Sequence, residues 1–134
     1  MGRAFRKADI GRVFTWDEVS DIHRSQHGIY QRDGTVISLL TDLGRITPCY
    51  PDTLSNGGKT LTYTGSGRRG DQKLDIRNRT LLDAASRGRV VPLFNKLGVN
   101  RWEYMGRWRI TAPRYVFDEA GERMVWQFTL ESAD

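Results

Sequence analysis

The chain has 134 residues, enough for one domain with a buried core. Hydrophobic residues are 38% and charged residues 28%, which excludes a disordered chain, and no segment approaches the ~20 apolar residues of a membrane helix. A formal charge of +5, from 21 Lys and Arg against 16 acids, favours a polyanionic partner.

The first residues, Met1 to Ile10, carry Arg3, Arg6 and Lys7 without an apolar run, so they form no secretory signal. They read as a flexible basic arm over residues 1–12 of a single 1–134 domain, in a cytoplasmic protein. Thr15-Trp16-Asp17-Glu18 is a helix start, with Thr15 as N-cap and Glu18 completing a capping box, and this short helix ends before Gly28. His23 and His27 have i, i+4 spacing, yet Cys49 is the lone cysteine and no further ligand lies nearby. Neither a disulfide, a structural metal nor a cofactor is expected, and the two histidines are placed at a helix end or a DNA-facing loop.

Asp33-Gly34 makes a turn into a buried strand ending near Leu40, and residues 41–59 form a long loop containing Pro48, Pro51, Asn56, Gly57 and Gly58. Thr60 to Thr64 is a strand, and Asp75 to Arg87 a helix stopped by Gly88. Arg89 to Phe94 is a strand that Pro92 assigns to an edge or a bulge. Trp102, Tyr104, Gly106, Trp108 and Ile110 mark one face of a long strand, which pairs with Met124 to Leu130 across the turn at residues 118–121. Trp108 and Trp126 are expected in the core. The sum is an α+β domain: a small curved sheet or open barrel with two flanking helices.

Between Thr64 and the second helix lies the densest chemistry. Gly65, Gly67 and Gly70 permit positive dihedrals and close approach, and Arg68, Arg69, Lys73, Arg77 and Arg79 surround the helix start. Phosphate suits that cluster. Gly65-Ser66-Gly67-Arg68-Arg69-Gly70 lacks the Gly-Lys-Ser/Thr ending of a P-loop, and its weak dinucleotide-type pattern has no second βαβ unit. Pro51-Asp52 with Asp71-Gln72-Lys73 spells a nuclease-like pattern for Mg²⁺, but here the second acid follows a glycine loop rather than sitting on an apolar strand.

As a set, Tyr50-Pro51-Asp52, Tyr63-Thr64-Gly65-x-Gly67, Gly70-Asp71-Gln72-x-Leu74, Asn78-x-x-Leu81, Pro92-Leu93-Phe94, Trp102-x-Tyr104-x-Gly106-x-Trp108 and Val125-Trp126-x-Phe128 resemble the SET- and RING-associated (SRA) domain. The resemblance is nearer to bacterial SRA-like domains that accompany HNH nucleases and helicases in modification-dependent restriction. It implies a PUA-like fold without catalysis, which turns a modified cytosine (5-methyl or 5-hydroxymethyl) out of duplex DNA, working with a fused or separate nuclease. A Mg²⁺-dependent nuclease using Asp52, Asp71 and Lys73, and a PUA-like RNA-binding module, are the alternatives.

The same resemblance makes Tyr63 one stacking ring, Thr64 a contact to the base edge and Asp52 an acceptor from the cytosine amino group. Tyr50 stands in for the second ring, because the family's Gly-Gly-Tyr segment is replaced here by Thr41-Asp42-Leu43-Gly44-Arg45. Arg24, Gln26 and His27 match a thumb inserted into the duplex. Ser66, Arg68, Arg69, Lys73, Arg77 and Arg79 would follow the backbone and groove, with the family's long finger loop shortened to Arg68-Arg69. Gly65, Gly67, Gly70, Asp71, Gln72 and Asn78 would support the loop, Asp71 and Gln72 also capping the following helix.

Overall fold

The computed structural model describes residues 4–55 and 57–134; Arg3 of the arm and Asn56 of the long loop lie outside the described residues. Eight strands build one open mixed sheet: β1 (Val13–Phe14), β2 (Ile29–Arg32), β3 (Thr35–Thr41), β4 (Thr53–Leu54), β5 (Thr60–Thr64), β6 (Val90–Gly98), β7 (Arg101–Asp118) and β8 (Arg123–Ser132). The order across the sheet is β2-β3-β6-β7-β8-β5-β4, with β1 pairing on β7. Every pairing is antiparallel except β3 with β6. The result is the curved PUA-like sheet, unclosed, with β2 and β4 at its free edges.

Two helices flank it. The first, α1 (Trp16–Val19), is a single turn in which Thr15 N–H donates to Glu18 Oε1 at 3.0 Å and Glu18 N–H to Thr15 Oγ1 at 3.3 Å. The second, α2 (Ile76–Arg87), starts on Asp75, whose carboxylate accepts from Asn78 N–H at 2.8 Å. It closes on Gly88, left-handed at φ 60, where a side chain at Cβ would be strained. Its buried stripe of Asn78, Leu81 and Ala84 lies against β7, β3 and β2. None of the described helices is long and apolar enough to cross a membrane.

Several expectations are corrected. Asp71 and Gln72 do not cap α2; Asp75 does, because it alone directly precedes the first helical residue. Of the edge or bulge expected at Pro92 the structure shows the bulge: β6 is an interior strand between β3 and β7, and the β6–β7 register shifts between Pro92 and Phe94, which frees the position from a ladder N–H. An unexpected strand, β2, forms a hairpin with β3 across Asp33 (φ 54) and Gly34 (φ 80).

Side chains separate into two clusters. Leu39 and Leu93 join the main core with Leu61, Tyr63, Leu81, Trp108, Phe128 and Leu130, while their neighbours Leu40 and Phe94 join a second cluster with Phe14, Trp102 and Tyr104. The alternating run of β7 therefore serves both: Trp102 and Tyr104 fall in the second cluster, Trp108 and Ile110 in the first. The division comes at Gly106, φ 86, where an added Cβ would meet Asp134 Oδ2 at 2.8 Å and Ile10 Cδ1 at 3.0 Å. Trp108 is buried, and Trp126 is half-buried against the main core.

The N-terminal arm is not loose over its described part. Residues 7–9 form a 3₁₀ turn with Asp9 buried, and the Phe5 ring packs 4.9 Å from Phe14 and 5.0 Å from both Phe94 and Tyr104. Phe5 supplies the apolar anchor that the charges of this segment obscure. Phe5→Ala should lower unfolding stability in urea by about 2 kcal/mol, whereas truncating a free arm would leave the midpoint unchanged.

Candidate nucleic-acid interface

After Thr64 the chain leaves β5, yet its loop stays fastened to β8. Gly65 N–H donates to Trp126 O at 2.8 Å, and Gln72 N–H to Met124 O at 2.8 Å. Between them the Gln72 side chain behaves as an inserted peptide: Oε1 accepts from Trp126 N–H at 2.8 Å, and Nε2 donates to Gly65 O at 2.7 Å and Gly67 O at 3.1 Å. Asp71 Oδ1 accepts from Met124 N–H at 2.8 Å. From the helix side, Asn78 Oδ1 accepts from Ser66 N–H at 2.8 Å, and Nδ2 donates to Ser66 O and Lys73 O.

A third anchor comes from β8. Arg123, 5% exposed, donates from Nη1 to Gly67 O at 2.6 Å and Gly70 O at 3.2 Å, and from Nη2 to Cys49 O at 2.7 Å. It joins the glycine loop to the segment before Asp52. Gly65 is required for this packing, since a Cβ there would meet Asn78 Oδ1 at 2.6 Å and Trp126 Cβ at 2.9 Å. Gly70 has nothing within 4 Å of that position, and its need is for φ 65 alone.

Beside the loop opens a cavity of about 280 Å³. The C-terminal ends of β3 and β5 supply Leu40, Thr41, Tyr63 and Thr64; the α1–β2 connection supplies Gln26 and His27; Tyr50 and Asp52 come from the long loop. Ser66, Arg68 and Arg77 reach it from the glycine loop and α2. Tyr63 is 3% exposed, and its hydroxyl donates to Leu40 O at 2.9 Å with a longer contact to Gly28 O. Burial, and then the charge of Asp52, push this phenol well above its ordinary range.

Asp52 is buried with both oxygens occupied: Oδ2 accepts from Thr41 Oγ1 at 2.7 Å, and Oδ1 from Thr64 N–H at 2.6 Å. Burial still pushes its carboxyl up to about 7, despite those hydrogen bonds. The Thr64 hydroxyl, beside it, is buried without a hydrogen bond of regular geometry. His23 lies fully buried behind the wall and is not a surface residue; His27 O accepts from its Nε2 at 2.6 Å, so Nδ1 accepts from the Ser38 hydroxyl at 2.7 Å. Desolvation lowers it to about 4, and in this neutral form it holds the connection that carries Gln26 and His27.

A family model for the ScoMcrA-like SRA domain matches residues 5–134. The chain belongs to the SRA domain family. The SRA domain of SUVH5 in complex with hemimethylated CG DNA superposes with a TM-score of 0.77 at 22% identity, covering 98% of this chain and 93% of that one. The same domain bound to fully hydroxymethylated CG DNA gives 0.73 at 22% identity, with the same coverage. The modification-dependent TagI restriction endonuclease gives 0.75 at 22% identity, over 93% of this chain but 50% of that one, so the match spans half of that chain's length. No curated protein matches the chain.

In this SRA domain the structure gathers Tyr50, Asp52, Tyr63, Thr64, Gln26, His27, Ser66, Arg68 and Arg77 around one cavity. Arg69 and Lys73 are exposed on the glycine loop and Arg79 on α2, outside the cavity lining, while Arg24 faces a separate shallow hollow with Tyr30, Ile76 and Arg77. Asp52 and Asp71 have different partners, and no three His, Cys, Asp or Glu side chains among the described residues are grouped to hold a metal ion. Sequence reasoning passed over Thr41, Lys96, Trp102 and Arg123. Lys96 and Trp102 line the cavity, the ammonium 5.7 Å from the indole. Only the Lys96–Trp102 strand pairing carries a local signal; the others meet their partners across the fold.

Gly65→Ala should lower stability by roughly 1–3 kcal/mol, measured by urea unfolding, because its neighbours are tied side chains and a strand. The two buried titrations oppose one another. His23, lowered in the fold, contributes stability that is complete above 6.5 and lost as pH falls towards 4; Asp52, raised, contributes stability that is complete below 3.8 and lost as pH rises through 7. Relative to wild type, His23→Gln should therefore gain stability as pH falls from 6.5 to 4, and Asp52→Asn should gain it as pH rises from 4 to 8. Urea midpoints across that range check both slopes.

Proposed function

We propose that this SRA domain recognises double-stranded DNA carrying a modified cytosine, 5-methyl or 5-hydroxymethyl, by taking the turned-out base into the cavity at Tyr63. The observation that carries this reading is the cavity itself: a polar, buried acceptor, Asp52, faces a space bounded by two tyrosines and opens beside exposed arginines. Turning out a base costs a few kcal/mol of unstacking, which ring contacts and edge hydrogen bonds must offset. The duplex DNA named for the SUVH5 structures, hemimethylated in one and hydroxymethylated in another, supports the same ligand class here.

In this reading Tyr63 and Tyr50 contact the base faces, Asp52 accepts from the cytosine amino group, and the Thr64 hydroxyl or its carbonyl meets the rest of the edge. Arg68, Arg69, Lys73, Arg77 and Arg79 neutralise phosphates, and Arg24, Gln26 and His27 approach the duplex from the other side. The domain has no catalysis of its own and serves a modification-dependent restriction system, its nuclease fused or separate. The TagI relationship supports that setting.

Because Tyr63 is a core residue, Tyr63→Ala would confound binding with folding; the half-buried Tyr50 is the better probe. Fluorescence anisotropy on matched duplexes containing cytosine, 5-methylcytosine and 5-hydroxymethylcytosine should show preference for the modified forms. Tyr50→Ala should erase about 1–3 kcal/mol of that preference. Arg69→Ala should weaken all duplexes alike and reduce the salt slope by about one. Equal binding of all three duplexes by wild type, or stronger competition by structured RNA, would defeat the reading.

A further inference from the structure

Thr41 is the buried polar residue at the cavity whose part is not explained by packing. Its oxygen accepts from Leu43 N–H at 3.0 Å, which turns its single proton towards Asp52 Oδ2, 2.7 Å away. Thr64 N–H meets the other oxygen at 2.6 Å. Both oxygens thus face donors before any ligand arrives, an arrangement that favours the carboxylate over the protonated acid. We propose that Thr41 is a specificity-determining positioning residue: by committing its proton to Asp52 it keeps that group an acceptor, so that the cavity takes a 4-amino pyrimidine and refuses a 4-keto one.

The proposal rests on the function given above and names what the site must exclude. A 5-methylated cytosine and thymine share ring size and methyl group; they differ at C4, where one presents an amino donor and the other a carbonyl acceptor. Stacking on tyrosine does not distinguish them, since each base has a π-face. A carboxylate at C4 pairs with the amino group and sets lone pairs against the carbonyl; a protonated carboxyl does the reverse.

The balance at Asp52 is close enough for one hydroxyl to matter. Desolvation pushes the carboxyl up to about 7, Asp42 pushes the same way, and the hydrogen bonds from Thr41 and Thr64 oppose both. Asp42 is itself tied to Gly44 N–H and Thr47 N–H. The phenols of Tyr50 and Tyr63 also line the cavity, with His27 from the α1–β2 connection. Three cations complete the lining: Arg68 from the glycine loop, Arg77 from α2 and Lys96 from β6.

Carboxyl titration by ¹³C NMR in the free protein, for wild type, Thr41→Val, Thr41→Ala and Thr41→Ser, reads the effect on Asp52 without DNA. Its midpoint should rise in the Val and Ala variants and stay near wild type in Ser. Binding at pH 8 to duplexes with 5-methylcytosine or thymine opposite guanine should show discrimination falling roughly tenfold in Val and Ala and kept in Ser. In wild type the same discrimination should decline as pH is lowered through 7, which requires no variant to fold. An unmoved midpoint in both Val and Ala, or a moved midpoint with discrimination intact, overturns the role of Thr41. Failure of wild type to prefer modified over plain cytosine overturns the proposed function instead, and the DNA-free titration tells the two failures apart.

Discussion

The organisation of the site depends on Gln72 standing in for a stretch of backbone. Where β5 ends, β8 still has a peptide N–H and carbonyl directed outward at Trp126, and the loop must leave the sheet without abandoning them. A primary amide is the side chain that carries both a donor and an acceptor in peptide-like geometry. By meeting Trp126 N–H with its oxygen and the Gly65 and Gly67 carbonyls with its nitrogen, it lets the loop bend away with few unpaired groups. Asn78 repeats the device from α2, and Arg123 gives a second donor to the Gly67 carbonyl and one to that of Gly70.

The consequence is a rigid base carrying a charged, exposed tip. Arg68 and Arg69 stand on a loop whose backbone is fixed from β8 and from α2, and the Cys49 bond of Arg123 links it to the chain that presents Asp52. Cavity wall and basic tip are thereby positioned by the same side chains. Among the described residues, the hydrogen bonds Arg123 makes at the loop and at Cys49 all go to backbone carbonyls, and Asp118 stands opposite it on β7.

Much of this was legible locally. The capping box at Thr15, the bounds of α2 between Asp75 and Gly88, strand β5 and the alternation of β7 follow from residue spacing alone. Other features depend on contacts distant in sequence. Residues 29–32, Ile-Tyr-Gln-Arg, lack the alternation of a half-buried strand, and β2 is set by its hairpin with β3. Pro92 signalled an edge or a bulge, and only the placement of β6 between β3 and β7 decides for the bulge. Arg123 finds partners at residues 49, 67 and 70, a convergence no local pattern encodes. His23 looked like half of a surface pair because its burial depends on Ser38, fifteen residues on.

The parallel pairing of β3 with β6 bears on how the protein is made. Leu39, Leu40 and Thr41 find their partners at Leu93, Phe94 and Asn95, so the ribosome must deliver the entire intervening crossover before that ladder can close. Through that interval the hairpin of β2 and β3 presents an unpaired edge, and the residues destined for one wall of the cavity hang on it. That ladder is only the first closure: β6 reaches β5 and β4 through β7 and β8, so the sheet is complete only when the chain has been delivered as far as Ser132.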